Sequence, residues 1–168
     1  MRSIPTVAAL FLLSGTAWAQ QTLAQPAAAP QRPNDPTRAS YMSAAEVATN
    51  VAKLGNDKAN VALPVFRIPP YTINAEHRGP VPQLASLHEA QAELYVVMEG
   101  TATMMTGGTI VGATRNGTNV TGKSIEGGTP QKLNKGDFLI VPAGVPHWFT
   151  NIAPGGITVT QIYLPKTN

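Results

Sequence analysis

Three histidines, His77, His88 and His147, are the side chains of this chain best placed to do chemistry near neutral pH, and two of them stand in patterned surroundings. Ser86-x-His88 is followed by Glu93 and then by Gly100. His147 closes the run Gly136-x5-Pro142-x-Gly144-x2-His147, with Asn151 behind it. Two imidazoles and one carboxylate, each held on a rigid strand, make a metal-binding set with open coordination positions. That donor combination suits Fe(II), Mn, Ni, Co or Zn. There is no cysteine, which excludes disulfides, thiol nucleophiles, thiolate zinc sites and Fe–S clusters together. His77, within Glu76-His77-Arg78-Gly79, reads as part of a polar loop outside the set.

The elements that must position these residues are strands. From Leu63 onward, short runs rich in Val, Ile, Thr and aromatic residues alternate with Gly, Pro and Asn turn signals, a pattern of an all-β sandwich or barrel. Fifteen Gly and fifteen Pro fit many turns and argue against a helical bundle. Side chains alternate along a strand, so Ser86 and His88 share a face, and Glu93 can point back toward them after a turn at 89–92. Counting in twos from Glu93 turns Tyr95 and Val97 inward; counting from His147 turns Phe149 inward and Trp148 outward. These three line a mostly apolar pocket of the kind that takes a small molecule. Tyr95 is a pocket wall or a proton donor. The adjacent Met104 and Met105 cannot face the same way and read as packing. A long loop is expected over 112–123, as a lid or a dimer contact. One helix is expected over Ser43–Leu54, opened by a Ser43/Glu46 capping box and stopped at Gly55.

The two patterned runs resemble the paired motifs of the cupin superfamily. The second motif, Gly136 through Asn151, matches at every position; the first matches at His88, Glu93 and Gly100 and carries Ser86 where a first histidine usually stands. The resemblance spans roughly Arg67 to Leu164. It implies a double-stranded β-helix, the jelly-roll barrel, with one divalent metal ion (Mn, Zn, Fe, Cu or Ni) held by His88, Glu93 and His147. Ser86 would touch water or substrate. It further implies a homodimer, and an activity of dioxygenase, isomerase, decarboxylase or lyase type. Two alternatives stay open beside this: a barrel that has lost its metal, and a non-catalytic module that binds a small molecule.

Length and composition bound the rest. One domain is expected for 168 residues, of which 43% are hydrophobic and only 12% charged. The net charge of +3 is mild and the basic residues are scattered, which argues against a nucleic-acid partner. The N-terminus reads as an address: Arg2, the apolar run from Val7 to Leu13, and Ala17-Trp18-Ala19 before Gln20 form a cleavable signal peptide over 1–19. The run is too short to span a membrane, which needs about 20 apolar residues. The expected organisation is thus a signal peptide, a flexible Pro/Ala/Gln-rich leader over 20–42, and a barrel domain with its helix over 43–168. Such a protein is secreted or periplasmic.

Overall fold

The structure, a computed structural model, describes residues 34–166. The signal-peptide segment and residues 20–33 of the leader lie outside them. Among the described residues no helix is long and apolar enough to cross a membrane.

Helix α1 runs over Ala44–Val51. The Ser43 hydroxyl accepts from the Glu46 backbone N–H, and the Glu46 carboxylate accepts in turn from the Ser43 N–H at 2.8 Å, so two orphan donors at the helix start are satisfied reciprocally. The helix stops a turn earlier than its apolar spacing suggests. Lys53 and Leu54 donate back to Asn50 and Val51, three residues away, which tightens the end into a turn before Gly55.

Thirteen strands follow among the described residues. A five-stranded sheet runs in the order β1 (Val61–Ile68), β2 (Tyr71–Arg78), β13 (Ile157–Pro165), β4 (Gln91–Gly100) and β11 (Phe138–Val141). A six-stranded sheet runs in the order β10 (Thr129–Leu133), β5 (Ala102–Thr106), β12 (His147–Thr150), β3 (Ala85–His88), β8 (Asn119–Gly122) and β7 (Thr114–Asn116). A small pair, β6 (Thr109–Val111) and β9 (Ser124–Glu126), completes the set. All pairings are antiparallel, and non-consecutive strands lie side by side, as in a double-stranded β-helix.

The main core lies between the two large sheets. Tyr95 and Val97 from β4 and Ile157 and Val159 from β13 meet Met104 from β5 and Phe149 from β12. Strand alternation sends the neighbours of these residues the other way. Met105, Leu87 and Trp148 pack with Ala85, Ile110, Val120 and Ile125 in a second cluster, where β6 and β9 cover the outer face of the six-stranded sheet. The Trp148 indole N–H donates to the Gln83 carbonyl at 3.0 Å.

The outer face of the five-stranded sheet carries a row of apolar side chains in register: Ile140, Leu94, Ile162, Ile73 and Phe66, one from each strand. At its β11 edge, Phe138 and Ile140 are 72% and 57% exposed.

Two local readings of the sequence need correction. The segment 112–123 is not a long loop. It contains the β7–β8 hairpin, turned at Gly117 with φ +59°, and β8 pairs along the whole of β3. Thr114-Arg115-Asn116 and Asn119-Val120-Thr121 are too short and polar to show a strand rhythm, so only the Asn116-Gly117 turn signal was visible. Nor is Glu76-His77-Arg78 a polar loop. It is the end of β2, and all three side chains are buried or nearly so. His77 meets the Thr158 hydroxyl at 2.8 Å and the Asn56 side-chain oxygen at 2.6 Å, and Glu76 pairs with Arg78. Polar residues at the end of a strand look like solvent contacts until the fold shows them buried and, as for His77 and Thr158, bonded across 81 residues.

Candidate metal centre

His88 ends β3, His147 begins β12, and Glu93 lies near the start of β4. Hydrogen bonds between loops bring these three strand ends together. Gly144, at φ +80°, directs its N–H to the His88 carbonyl at 2.8 Å, so the turn that launches His147 is bonded to the residue that carries the other imidazole. A side chain bearing a Cβ is strained at that φ, which explains glycine there. The Glu89 N–H donates to the Thr118 carbonyl at 2.9 Å and ties the β7–β8 turn to the same corner.

One donor atom from each of His88, Glu93 and His147 lies within 4.8 Å of the others. His147 Nε2 is 2.8 Å from Glu93 Oε2, and His88 Nε2 is 3.6 Å from Glu93 Oε1. The two rings sit 5.5 Å apart, centroid to centroid. Glu93 and His147 are buried; His88, 19% exposed at its side chain, marks the side on which the site opens to solvent. Ser86 stands directly opposite His147 across the β3–β12 pairing, and on the same face of β3 as His88.

The outer atoms of the two rings are engaged. His88 Nδ1 lies 2.7 Å from the Asn119 side-chain oxygen, and His147 Nδ1 lies 3.3 Å from the Val145 carbonyl. Both partners are acceptors, so a neutral ring places its proton on Nδ1 and keeps a lone pair on Nε2. Glu93 Oε1 accepts from Gln161 Nε2 at 2.8 Å. Glu93 Oε2 is buried with no hydrogen-bond partner. His147 Nε2 is near it but does not meet it along a hydrogen bond, so lone pairs of nitrogen and oxygen converge on one place. Such an arrangement accommodates a divalent cation, and the outer hydrogen bonds are those that orient metal ligands. These residues therefore fit one metal ion, with coordination positions left for water or a ligand.

Burial pushes the Glu93 carboxyl up, but its contact with His147 and the positive charge that His147 and His88 carry once protonated in acid outweigh that and hold it below the usual range. Tyr95 and Tyr163 flank the site. Tyr163 meets His88 edge-on at 6.2 Å and Tyr95 lies 6.4 Å from His147. Burial pushes both phenols up, so they remain protonated.

Tyr95, Val97 and Phe149 point inward and are packed into the core. Tyr95 and Phe149 meet edge to face at 5.6 Å, and the Arg78 guanidinium lies 4.5 Å from the Phe149 ring centroid on its way to Glu76 and Gln83. Phe149, Trp148 and Gln83 line an open groove of about 310 Å³ at the far ends of the strands that carry His88 and His147. Sequence reasoning missed Asn119, Gln161 and Tyr163. Asn119 was hidden in the unrecognised hairpin. Gln161 left a signal: a polar residue at an inward position of the otherwise apolar run Ile157-x-Val159-x-Gln161.

A family model described as Cupin matches residues 83–162. The match begins just before β3 and ends within β13, and includes His88, Glu93 and His147. No curated protein matches the chain. Among solved structures, the TT1209 protein of Thermus thermophilus is similar with a TM-score of 0.51 at 18% identity, over 71% of this chain and 95% of that one. A Bacillus halodurans protein, BH2720, has a TM-score of 0.50 at 14% identity, over 76% of this chain and 83% of that one. A Klebsiella pneumoniae protein described as having a double-stranded beta-helix domain has a TM-score of 0.48 at 18% identity, over 67% of this chain and 81% of that one.

The depressed Glu93 carboxyl gives the fold a pH dependence of known sign. A carboxyl that binds its proton less readily when folded contributes stability that is present above its ordinary value of 4.5 and is lost as pH falls through the lower, folded value. Urea unfolding of chelator-treated protein should show this loss below about pH 4.5, and Glu93→Gln should flatten that part of the profile.

Proposed function

Residues 83–162 of the chain belong to the cupin superfamily, and we propose that the protein holds one divalent metal ion at His88, Glu93 and His147 and uses it to bind, or act on, an oxygen-bearing small molecule. One observation carries this reading: the buried Glu93 Oε2 has no hydrogen-bond partner although His147 Nε2 lies beside it, and His88 Nε2 faces the same carboxylate. A bound ion would supply Lewis acidity toward an oxygen of the ligand. Its candidates are Mn, Zn, Fe, Cu and Ni, which imidazole and carboxylate donors all accept. His88, at the opening, and His147, against the core, orient the site through Asn119 and the Val145 carbonyl. Ser86 offers a neutral hydroxyl to water or ligand from across the β3–β12 pairing. Tyr163 borders the opening with its phenol protonated and able to donate a hydrogen bond to a ligand oxygen.

A second reading, a module that binds its ligand without turnover, draws on Ser86. This position next to the donor set carries a hydroxyl and no ionisable group, so it does not supply a general acid or base at neutral pH.

The metal reading is tested by titrating chelator-treated, tag-free protein with each of the five metals in a calorimeter. Binding near one equivalent is expected, with a raised melting temperature; saturation at about 100-fold over Kd adds about 2.7 kcal/mol of stability. The His88→Ala/His147→Ala double variant should lose both effects. Failure of the wild-type protein to bind any of the five, or full binding by a folded double variant, would overturn the reading.

The same protein is proposed to work outside the cytoplasm, secreted or periplasmic. The support is the charge, apolar run and Ala-x-Ala pattern of residues 1–19, which lie outside the described residues. N-terminal sequencing of the protein from its native compartment should begin at Gln20; an intact Met1 would refute export by cleavage.

A homodimer through the outer face of the five-stranded sheet is also proposed, supported by its apolar cross-strand row and by exposed Phe138 and Ile140 at the β11 edge. Sedimentation should report a dimer for wild type and a monomer for Phe138→Lys/Ile140→Lys. A monomeric wild type at micromolar concentration would dispose of the dimer.

A further inference from the structure

The carboxylate at the centre of the site has two oxygens in different circumstances, and the difference traces to residues outside the donor set. Asn74, Gln161 and Tyr95 stand in one register row across β2, β13 and β4. All three are buried, as is Glu93. Asn74 Nδ2 donates to Gln161 Oε1 at 3.2 Å, and Gln161 Nε2 donates to Glu93 Oε1 at 2.8 Å, with the Tyr95 hydroxyl 3.4 Å from the same nitrogen.

This chain has one direction only. An ionised carboxylate offers acceptors and no donor, so Gln161 must turn its NH₂ toward Glu93. Its carbonyl then faces Asn74, whose NH₂ satisfies it. Reversing the Gln161 amide would leave two acceptors facing each other in a buried site, at the cost of an unmade hydrogen bond. The Asn74 donor therefore holds the Gln161 amide in the orientation that occupies Oε1. Oε2 is left as the free oxygen on the His147 side.

We infer that Gln161, held by Asn74, is a positioning residue that makes Glu93 a one-oxygen ligand presenting Oε2 to the metal ion. The inference rests on the metal reading above. Occupying Oε1 keeps the carboxylate from turning to chelate with both oxygens. That preserves a coordination position for the small molecule and fixes the donor geometry before the ion arrives. Removal of such an outer hydrogen bond typically weakens metal binding about 10–100-fold.

The test compares wild type with Gln161→Met, a near-isosteric apolar replacement, and with Gln161→Asn, an amide too short to bridge Asn74 and Glu93. Each is loaded with Co(II) alone, as a spectroscopic probe, and with zinc alone for calorimetry. Metal-free melting temperatures establish folding. Folded variants should bind zinc about 10–100-fold more weakly than wild type. Their Co(II) visible spectrum should also change in intensity, because a carboxylate free to chelate alters the coordination number. A purely packing role would lower the metal-free melting temperature and leave the spectrum of the loaded protein as in wild type. If wild type binds and a folded variant matches its affinity and spectrum, the Gln161 inference is overturned and the metal site stands. If wild type binds neither of these ions, the affinity comparison is made with whichever of Mn, Fe, Cu or Ni it binds; if it binds none of them, the metal reading fails and this one fails with it.

Discussion

A carboxylate buried in an apolar barrel is the constraint around which this structure is arranged. Taking an ion out of water still costs several kcal/mol after a real protein relaxes around it. Glu93 incurs that cost between Tyr95 and the core on one side and the histidines on the other. Its compensation comes from separate parts of the chain: Gln161 from the last strand, His147 from β12 and His88 from β3. His88 lies just before Glu93 in sequence, but Gln161 is 68 residues away and His147 comes from a strand far along the chain. The centre therefore exists only when both sheets are closed, and its geometry depends on their register. A one-residue slip of β4 would turn Glu93 outward and put Leu94 or Ala92 in its place.

Closure in turn depends on corners where the backbone must do something unusual. At Gly100, φ is +81° and a Cβ would collide with the Gly156 carbonyl, so the end of β4 and the start of β13 approach as only glycine allows. At Gly144 the left-handed backbone turns an N–H onto the His88 carbonyl. Asn151 takes φ +47°, a conformation that asparagine tolerates better than most residues, where the chain leaves β12. These corners set the positions of the strand ends, and the strand ends carry the donors.

This division explains what was legible in the sequence. Glycine at a forced corner and histidine or glutamate in a donor set are types with few substitutes, and within each of the two motifs their spacing is short. His88, Glu93 and His147 could therefore be singled out from the residues, and the inward parity of Tyr95, Val97 and Phe149 followed from alternation. The helix start was legible for the same reason, since a Ser43/Glu46 capping box is local. The supporting residues were not. Asn74 and Gln161 are 87 residues apart, and His88 and Asn119 are 31 apart. Their types, amides, are common on surfaces, and only the fold shows that they are buried or face an imidazole. His77 went the other way: a charged-looking stretch proved to be buried structure, with the imidazole held between Thr158 and Asn56 and its pKa lowered by burial.

The interior also separates two buried acids by the partner each one has. Glu76 is closed off by Arg78, which continues to Gln83 and lies over Phe149, so its charge is neutralised within the protein. Such a pair needs nothing further from outside. Among the described residues Glu93 faces no arginine or lysine in its hydrogen bonds or ion pairs, only the Gln161 amide and imidazoles whose outer nitrogens are committed to acceptors. A proton on one imidazole can balance it in part, but that proton would leave the second Nε2 lone pair and the open positions unused. A divalent ion satisfies the carboxylate and both imidazoles at once. The same charge argument that makes the Glu76–Arg78 end of the barrel self-contained makes the Glu93 end suited to a ligand from solution, on the side where His88 is partly exposed.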